Sequence, residues 1–503
     1  MIGIRNTRGG GPERLGILHW LDVVVVGLYL AGMLGIGLWL SKRHKGFDDF
    51  FLAGRAMTTP LLVTTLVSTY YGLDVLFGTS EIGFNSGLVG WFGYSRPYYI
   101  FYIIAAFLLA RRLREEGFKS LPDILERYYG RPSRYVSAVA SFCYSLPVIS
   151  LFGFGWMSNV LFGWDPQVGA FIVGGVALVY TWGGGLWAVA LTDSVQFVLM
   201  CVMVAIAVPF SLNAIGGFDR MYDLLPAAHF TQMGDMTPWL VVIYGMTGLT
   251  VLVEPTFYQR IFAARDYKAV RNALLIGLFL WGAYDWCVTL LGMIARAGAA
   301  EGLLPADMHP NTALLRIAVA SLPVGVLGLF VAGIMSTAMS TIDSYCLIGG
   351  GNVAYDLYRP IANPKATDDQ LIKVTRFGVV LSWVLGFVIA FYFDRIMSIW
   401  VFLATILTST VFVPIILGLF CKGFRTRSAG LWGTTAGLVG AIAFYVTFGL
   451  FGEEAGGTRI ITLTWFGGPI EVWEEFAMFF TLPFSLVAYL AGVAVDRLKG
   501  GRS

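Results

Sequence analysis

Apolar stretches of about 20 residues, each nearly free of charge, recur from one end of this chain to the other. Such a stretch is long enough to cross about 30 Å of hydrocarbon as a helix. Of the 503 residues 57% are hydrophobic and 13% charged, against roughly 25% charged in a soluble domain. No water-soluble fold hides that much apolar surface. The pattern predicts an all-α integral membrane protein.

Thirteen stretches qualify, near 20–41, 58–82, 87–111, 135–162, 166–183, 186–213, 237–262, 270–297, 312–350, 373–393, 396–420, 428–451 and 473–496. Ser120–Gly130, between the third and fourth, is amphipathic and reads as a short interfacial helix. Residues 452–472 are polar, glycine-rich and acidic, and read as a loop. The first stretch is too long for a signal-peptide core and lacks a small-residue cleavage site after it. Five cysteines and four histidines form neither a disulfide framework nor a metal spacing.

Every second loop is basic. Lys42, Arg43, Lys45 and Arg55 follow the first stretch, and Arg111, Arg112, Arg114, Lys119, Arg127, Arg131 and Arg134 the third. Arg265, Lys268 and Arg271 come next, then Arg359, Lys365 and Lys373, then Lys422, Arg425 and Arg427, then Arg497, Lys499 and Arg502 at the tail. Basic loops stay cytoplasmic, which places the C-terminus inside and the N-terminus outside a plasma (inner) membrane. Arg5, Arg8 and Arg14 in the short N-terminal arm dissent. The net charge of +3 gives no reason to invoke nucleic acid.

Two stretches are wrong for ordinary membrane helices. The second holds Ser68-Thr-Tyr-Tyr-Gly72, then Asp74, Gly78 and Glu81. The seventh holds Tyr244-Gly-Met-Thr-Gly-Leu-Thr250, then Glu254-Pro255. Unwound backbone at membrane depth survives where it lines a cavity or binds something. Interruptions at matching positions point to a transporter with inverted repeats. They predict one transporter domain over 1–503: repeat one near 58–213, repeat two near 237–420, and peripheral helices near 20–41, 428–451 and 473–496.

Five motifs resemble the sodium/solute symporter family, which includes the proline, sugar and sialic acid carriers. They are Asp49-Phe-Phe-Leu-Ala-Gly-Arg55; Ser120-Leu-Pro-Asp-Ile-Leu-Glu-Arg-Tyr-Tyr-Gly130; Trp182-Gly-Gly-Gly-Leu-Trp-Ala-Val-Ala-Leu-Thr-Asp-Ser-Val-Gln196; Tyr258-Gln-Arg-Ile-Phe-Ala-Ala-Arg265; and Ala332-Gly-Ile-Met-Ser-Thr-Ala-Met-Ser-Thr-Ile-Asp-Ser344. The resemblance implies a LeuT-type fold with a five-plus-five inverted repeat, alternating access around a midplane site, and sodium (Na+) as coupling ion.

Sodium needs five or six oxygens, and a bilayer interior offers hydroxyls, freed carbonyls and carboxylates. By resemblance, the site takes the carbonyls of Ser68, Tyr71 and Gly333 and the hydroxyls of Ser336 and Thr337. A lone carboxylate in mid-membrane, as at Asp193, is functional or ion-paired by default. In some relatives the matching residue holds a second sodium, which here would join Asp193 to Ser336 and Ser340; where they add a hydroxyl this chain has Met339. Otherwise Asp193 is structural or carries a proton. Asp343 reads as structural or gating.

The solute should meet both interruptions. The candidates are Tyr70, Asp74, Val75 and Glu81 on the second stretch, Thr247 and Thr250 on the seventh, and Phe402 and Thr408 on the eleventh. Arg96, an arginine deep in an apolar run, either pairs with Glu81 or Asp74 or grips a solute carboxylate. The expected partners are a small polar solute and membrane lipid, with a monomer sufficient for transport.

An enzyme lacks its parts here: there is no Walker loop, dinucleotide fingerprint or His/Cys metal cluster. A channel would show repeated filter loops rather than two broken helices. A sensor built on the same fold usually appends a signalling domain. The prediction is a sodium-coupled symporter importing a small polar solute; the alternatives are a proton-coupled carrier of the same fold and a channel- or transporter-like sensor.

Overall fold

Helix α1, Trp20–Leu40, opens the bundle with Leu28 70% exposed. Phe279 in a later helix is 78% exposed. Such apolar surface is costly in water and natural against lipid. The structure is a computed structural model that describes residues 18–40, 45–392, 396–455, 458–465 and 468–500. Arg5, Arg8, Arg14, Lys42, Arg43 and Arg502, used above to orient the chain, lie outside the described residues.

The second stretch is broken as expected. α2, Thr59–Tyr70, and α3, Leu73–Ser86, are bent by 61° about Tyr71 and Gly72. Tyr71 has φ −87° and ψ 70°, and Gly72 is extended, so neither continues the helical ladder. Next, α4, Arg96–Ile104, is flanked by π-helical turns at Gly90–Ser95 and Ala105–Leu109. The amphipathic segment folds as α5, Leu121–Tyr129, its N-terminus capped by Ser120, whose hydroxyl accepts from the Asp123 N–H at 3.2 Å.

α6, Arg131–Tyr144, and α7, Val148–Phe162, meet at Pro147. α8, Pro166–Ala214, runs for 49 residues with a non-helical Gly185 inside, at φ 58°. Only glycine tolerates that conformation cheaply, and a Cβ there would lie 2.8 Å from the Phe50 ring. The second interruption falls between α9, Pro238–Thr247, and α10, Pro255–Ala263, with a 3₁₀ turn at Gly248–Leu252. Pro255 suits the first turn of a helix, where its missing N–H costs nothing.

The remaining long helices are α11, Tyr267–Ala300; α12, Val326–Gly351; α13, Asp368–Ala390; α14, Ile396–Phe420; α15, Arg427–Phe451; and α16, Ala477–Gly500. Ten helices among the described residues are long and apolar enough to cross a bilayer, or eleven if the bent pair is one span. The expected thirteen is not reached on that measure. α8 counts once although 49 residues extend about 73 Å, more than two hydrocarbon thicknesses. The stretch around α4 is cut into short pieces.

Residues 453–473 are not the expected loop. β1, Glu453–Ala455, β2, Thr458–Trp465, and β3, Gly468–Trp473, form an antiparallel sheet, with Glu454 opposite Arg459 and Ile461 opposite Val472. The β-branched run Thr458-Arg-Ile-Ile-Thr462 favours strand, a signal that the surrounding acids and glycines masked.

α12 forms the centre of the core and is buried over nearly its whole length, against α8, α1 and α2. Its N-terminus is capped from α1: Asp22 Oδ1 accepts from the N–H groups of Gly325 and Gly328, both at 2.7 Å. α3 packs on α11 through glycine, since a Cβ on Gly292 would come within 2.9 Å of the Phe84 nitrogen.

Candidate functional site

The break after Tyr70 faces α12. Ser340 Oγ donates to the Ser68 carbonyl at 2.9 Å, and Thr341 Oγ1 to the Thr69 carbonyl at 3.3 Å. Ser336 and Thr337, one turn earlier, donate to their own helix at Ala332 (2.8 Å) and Gly333 (3.1 Å). Ser68, Tyr71, Gly333, Ser336, Thr337 and Ser340 are all buried, on two elements in contact. The donor set is hydroxyls and carbonyls, which suits a hard monovalent cation. Among the described residues no cluster of three or more His, Cys, Asp or Glu could hold a metal.

Asp193 is also buried, but its partners are not Ser336 and Ser340. Its Oδ2 accepts from Thr65 at 2.5 Å and Thr69 at 3.3 Å, and lies 3.7 Å from the Arg260 guanidinium. Oδ1 has no hydrogen-bond partner. Arg260 donates further to Ser344 at 2.5 Å and Gln259 at 3.0 Å. Ser344 donates on to Asp343 at 3.0 Å, and Tyr180 closes the network on Asp343 at 2.6 Å. Sequence reasoning passed over Arg260 as a component. The signal was there: a basic residue inside an apolar run, in the motif Tyr258–Arg265.

Beside the break lies a cavity. Of the expected solute residues Tyr70, Asp74 and Val75 line it, together with Tyr71. The wall is mostly aromatic: eight tyrosines, Tyr70 and Tyr71 among them, and two tryptophans make up ten of the seventeen lining residues. Tyr102 stacks on Trp281 with ring centroids 4.1 Å apart, and Tyr70 meets Tyr102 edge-on at 5.4 Å. Two carboxylates, Asp74 and Asp285, face the same space, and the lining contains no Lys, Arg or His. Asp74 sits in the first turn of α3, where the helix dipole favours an anion. Asp285 accepts from two phenols, Tyr71 on Oδ1 and Tyr99 on Oδ2.

The other candidates lie elsewhere. Thr247 is buried behind the wall and bonds the Tyr98 hydroxyl at 2.6 Å. Thr250 and Thr408 bond each other at 3.0 Å and tie the second break to α14. Phe402 packs edge-on against Tyr445, at 4.8 Å, away from the cavity. Glu81 is outside the lining, within 3.1 Å of the Asn311 amide once that amide is turned to donate. Arg96 requires a correction: it is exposed, its guanidinium 5.4 Å over the Phe92 ring, and it is not among the residues lining the cavity.

Asp285 was legible by the rule applied to Asp193, one carboxylate in an apolar stretch, yet it went unread. Trp281 and Trp400 carried no such signal. Aromatic residues in membrane helices are ordinary, and only the packing turns these toward one cavity.

Comparison with known proteins supplies the family and the fold. A family model described as the sodium:solute symporter family matches residues 50–437. The sodium/glucose cotransporter 4 of Mus musculus is 26% identical over 490 residues, 87% of this chain and 70% of that protein. Its Danio rerio counterpart is 26% identical over 475 residues, 84% of this chain and 71% of that one. Among solved structures, a Na+-coupled sialic acid symporter in a substrate-bound outward-open state superposes with TM-score 0.78 at 16% identity, covering 95% of this chain and 98% of its own. MhsT in complex with L-phenylalanine gives TM-score 0.52 at 13% identity, over 78% and 98%. The fold is LeuT-type, and the chain belongs to the sodium:solute symporter family: it is a multi-pass membrane transporter that couples sodium to the movement of a small solute.

Proposed function

We propose that this symporter imports a small solute bearing a positively charged nitrogen, driven by one or more sodium ions entering with it. One observation carries the reading: two carboxylates and ten aromatic rings surround a cavity whose lining holds no basic side chain. Tyrosine and tryptophan faces attract a cation by about 0.5–2 kcal/mol each when desolvated. A carboxylate about 4 Å away adds a few kcal/mol at an effective dielectric near 20. The same field repels an organic anion.

The sodium ion sits at the break, held by the carbonyls of Ser68, Tyr71 and Gly333 and the hydroxyls of Ser336 and Thr337. Support comes from the contact of α12 hydroxyls with freed α2 carbonyls. Residues 58–213 and 237–420 form the two repeats, which rock about this centre in a monomer. The basic loops face the cytoplasm across the plasma membrane.

The test is uptake into proteoliposomes under an inward sodium gradient, offering choline, a primary amine, a zwitterionic amino acid, glucose and lactate side by side. Cationic solutes should accumulate and lactate should not. Sodium-driven uptake of glucose or lactate in preference to every amine overturns the reading.

A further inference from the structure

The break holds a residue with one group on each side of the transport problem. Tyr71 ends α2 with its N–H still bonded to Val67 at 3.1 Å, while its own ψ of 70° turns the carbonyl out of the helical ladder. The residue is 2% exposed, and it forms part of the wall of the solute cavity. There the phenol donates to Asp285 Oδ1, and the ring lies against Tyr284 at 3.9 Å between centroids. Asp285 belongs to α11 and its second oxygen is held by Tyr99. The phenol is thereby fixed to a continuous helix, while the backbone to which it belongs lies in the break between α2 and α3.

We infer that Tyr71 couples solute to ion: its carbonyl belongs to the sodium shell, its phenol to the anchor of the solute cavity. This rests on the reading that sodium binds at the break. A cation entering the cavity draws on the Asp285 carboxylate and changes the hydrogen bond that holds the Tyr71 ring. Ring and carbonyl share one residue with two soft backbone torsions, so the displacement reaches the ion ligand. The reverse holds with equal size, because coupling between two bound ligands is reciprocal. Asp285 and Tyr71 are positioning residues for the ion as well as walls of the solute site.

The measurement is the sodium concentration for half-maximal thermal stabilisation of the purified protein, with and without saturating choline. The readout is the ratio of the two values within each variant, so a change in either affinity alone does not move it. Wild type should show a ratio of about 5–150, the usual span of coupling between sites. Tyr71→Phe keeps the ring and the backbone carbonyl, and should bring the ratio close to one. Asp285→Asn should do the same by another route, and Asp285→Glu should restore most of it. A Tyr71→Phe ratio equal to wild type overturns the inference, as does a wild-type ratio of one in protein that choline alone stabilises; if choline alone gives no stabilisation, the cationic-solute reading fails instead. Ser336→Ala/Thr337→Ala separates the underlying reading: if that variant binds sodium as wild type does, the ion is not at the break and the reading itself fails.

Discussion

The guanidinium of Arg260 stands 3.7 Å from the carboxylate of Asp193 in the interior of the bundle, and the hydroxyls of Thr65 and Thr69 bond both side chains. Family resemblance offers this aspartate to a second sodium; the fold gives it a tethered cation. Removing one partner of a buried pair strands the other charge at a cost of about 3–5 kcal/mol. Arg260→Gln should therefore unfold at markedly lower temperature, and Arg260→Gln/Asp193→Asn should recover much of the loss. The sodium Hill coefficient of the double variant should equal that of wild type. A lower coefficient would mean that Asp193 holds an ion after all.

The sodium site makes a separate prediction. Replacing Ser336 and Thr337 by alanine removes two of the oxygens proposed as sodium ligands, worth about 1 kcal/mol each. The sodium concentration for half-maximal uptake should rise tenfold or more, with the fold intact. Uptake that runs equally well in sodium, lithium, potassium and choline media would falsify sodium coupling outright.

Asp74 separates recognition from scaffolding. It lines the cavity and has no basic side chain beside it there. Asp74→Asn should abolish binding of an amine-bearing solute and leave the melting temperature near wild type. Arg96→Met should leave amine uptake unchanged, because that guanidinium is exposed over Phe92. Loss of stability in Asp74→Asn that Arg96→Met restores would revive the ion pair and remove the case for an amine.

We predict that a second buried cluster, among the basic loops, keeps that end of the bundle shut. Arg134 bonds Asp356 at 3.0 Å and pairs with Glu126, and Ser120 donates to Asp356 at 2.6 Å. Arg134→Ala leaves Asp356 buried without its counter-ion. If only about 1.4 kcal/mol of that penalty falls on the closed state, opening becomes tenfold more frequent. A cysteine at Ile348, which lines the small space behind this cluster, should then react correspondingly faster with an impermeant thiol reagent. Equal rates in the two backgrounds would show that the cluster is no gate.

The membrane class, the two breaks and the family were determined by the sequence itself, because each depends on local signals. Length and hydropathy define a span, Gly72 and Pro255 define interruptions, and runs such as Trp182–Gln196 carry a family pattern. The short helix Leu121–Tyr129 and its Ser120 cap were legible for the same reason. What a side chain faces is not local. Arg96 and Arg260 are both arginines in apolar runs, yet one lies on the surface and the other in the core. Only the packing of α2, α8, α10 and α12 decides that Arg260 meets Asp193. Likewise Asp285 lines the cavity because α11 crosses α3 through the Gly83 and Gly292 contacts, which bring a carboxylate more than 200 residues away against Tyr71. Periodicity places a residue on a helix; the crossing of helices places it in a site.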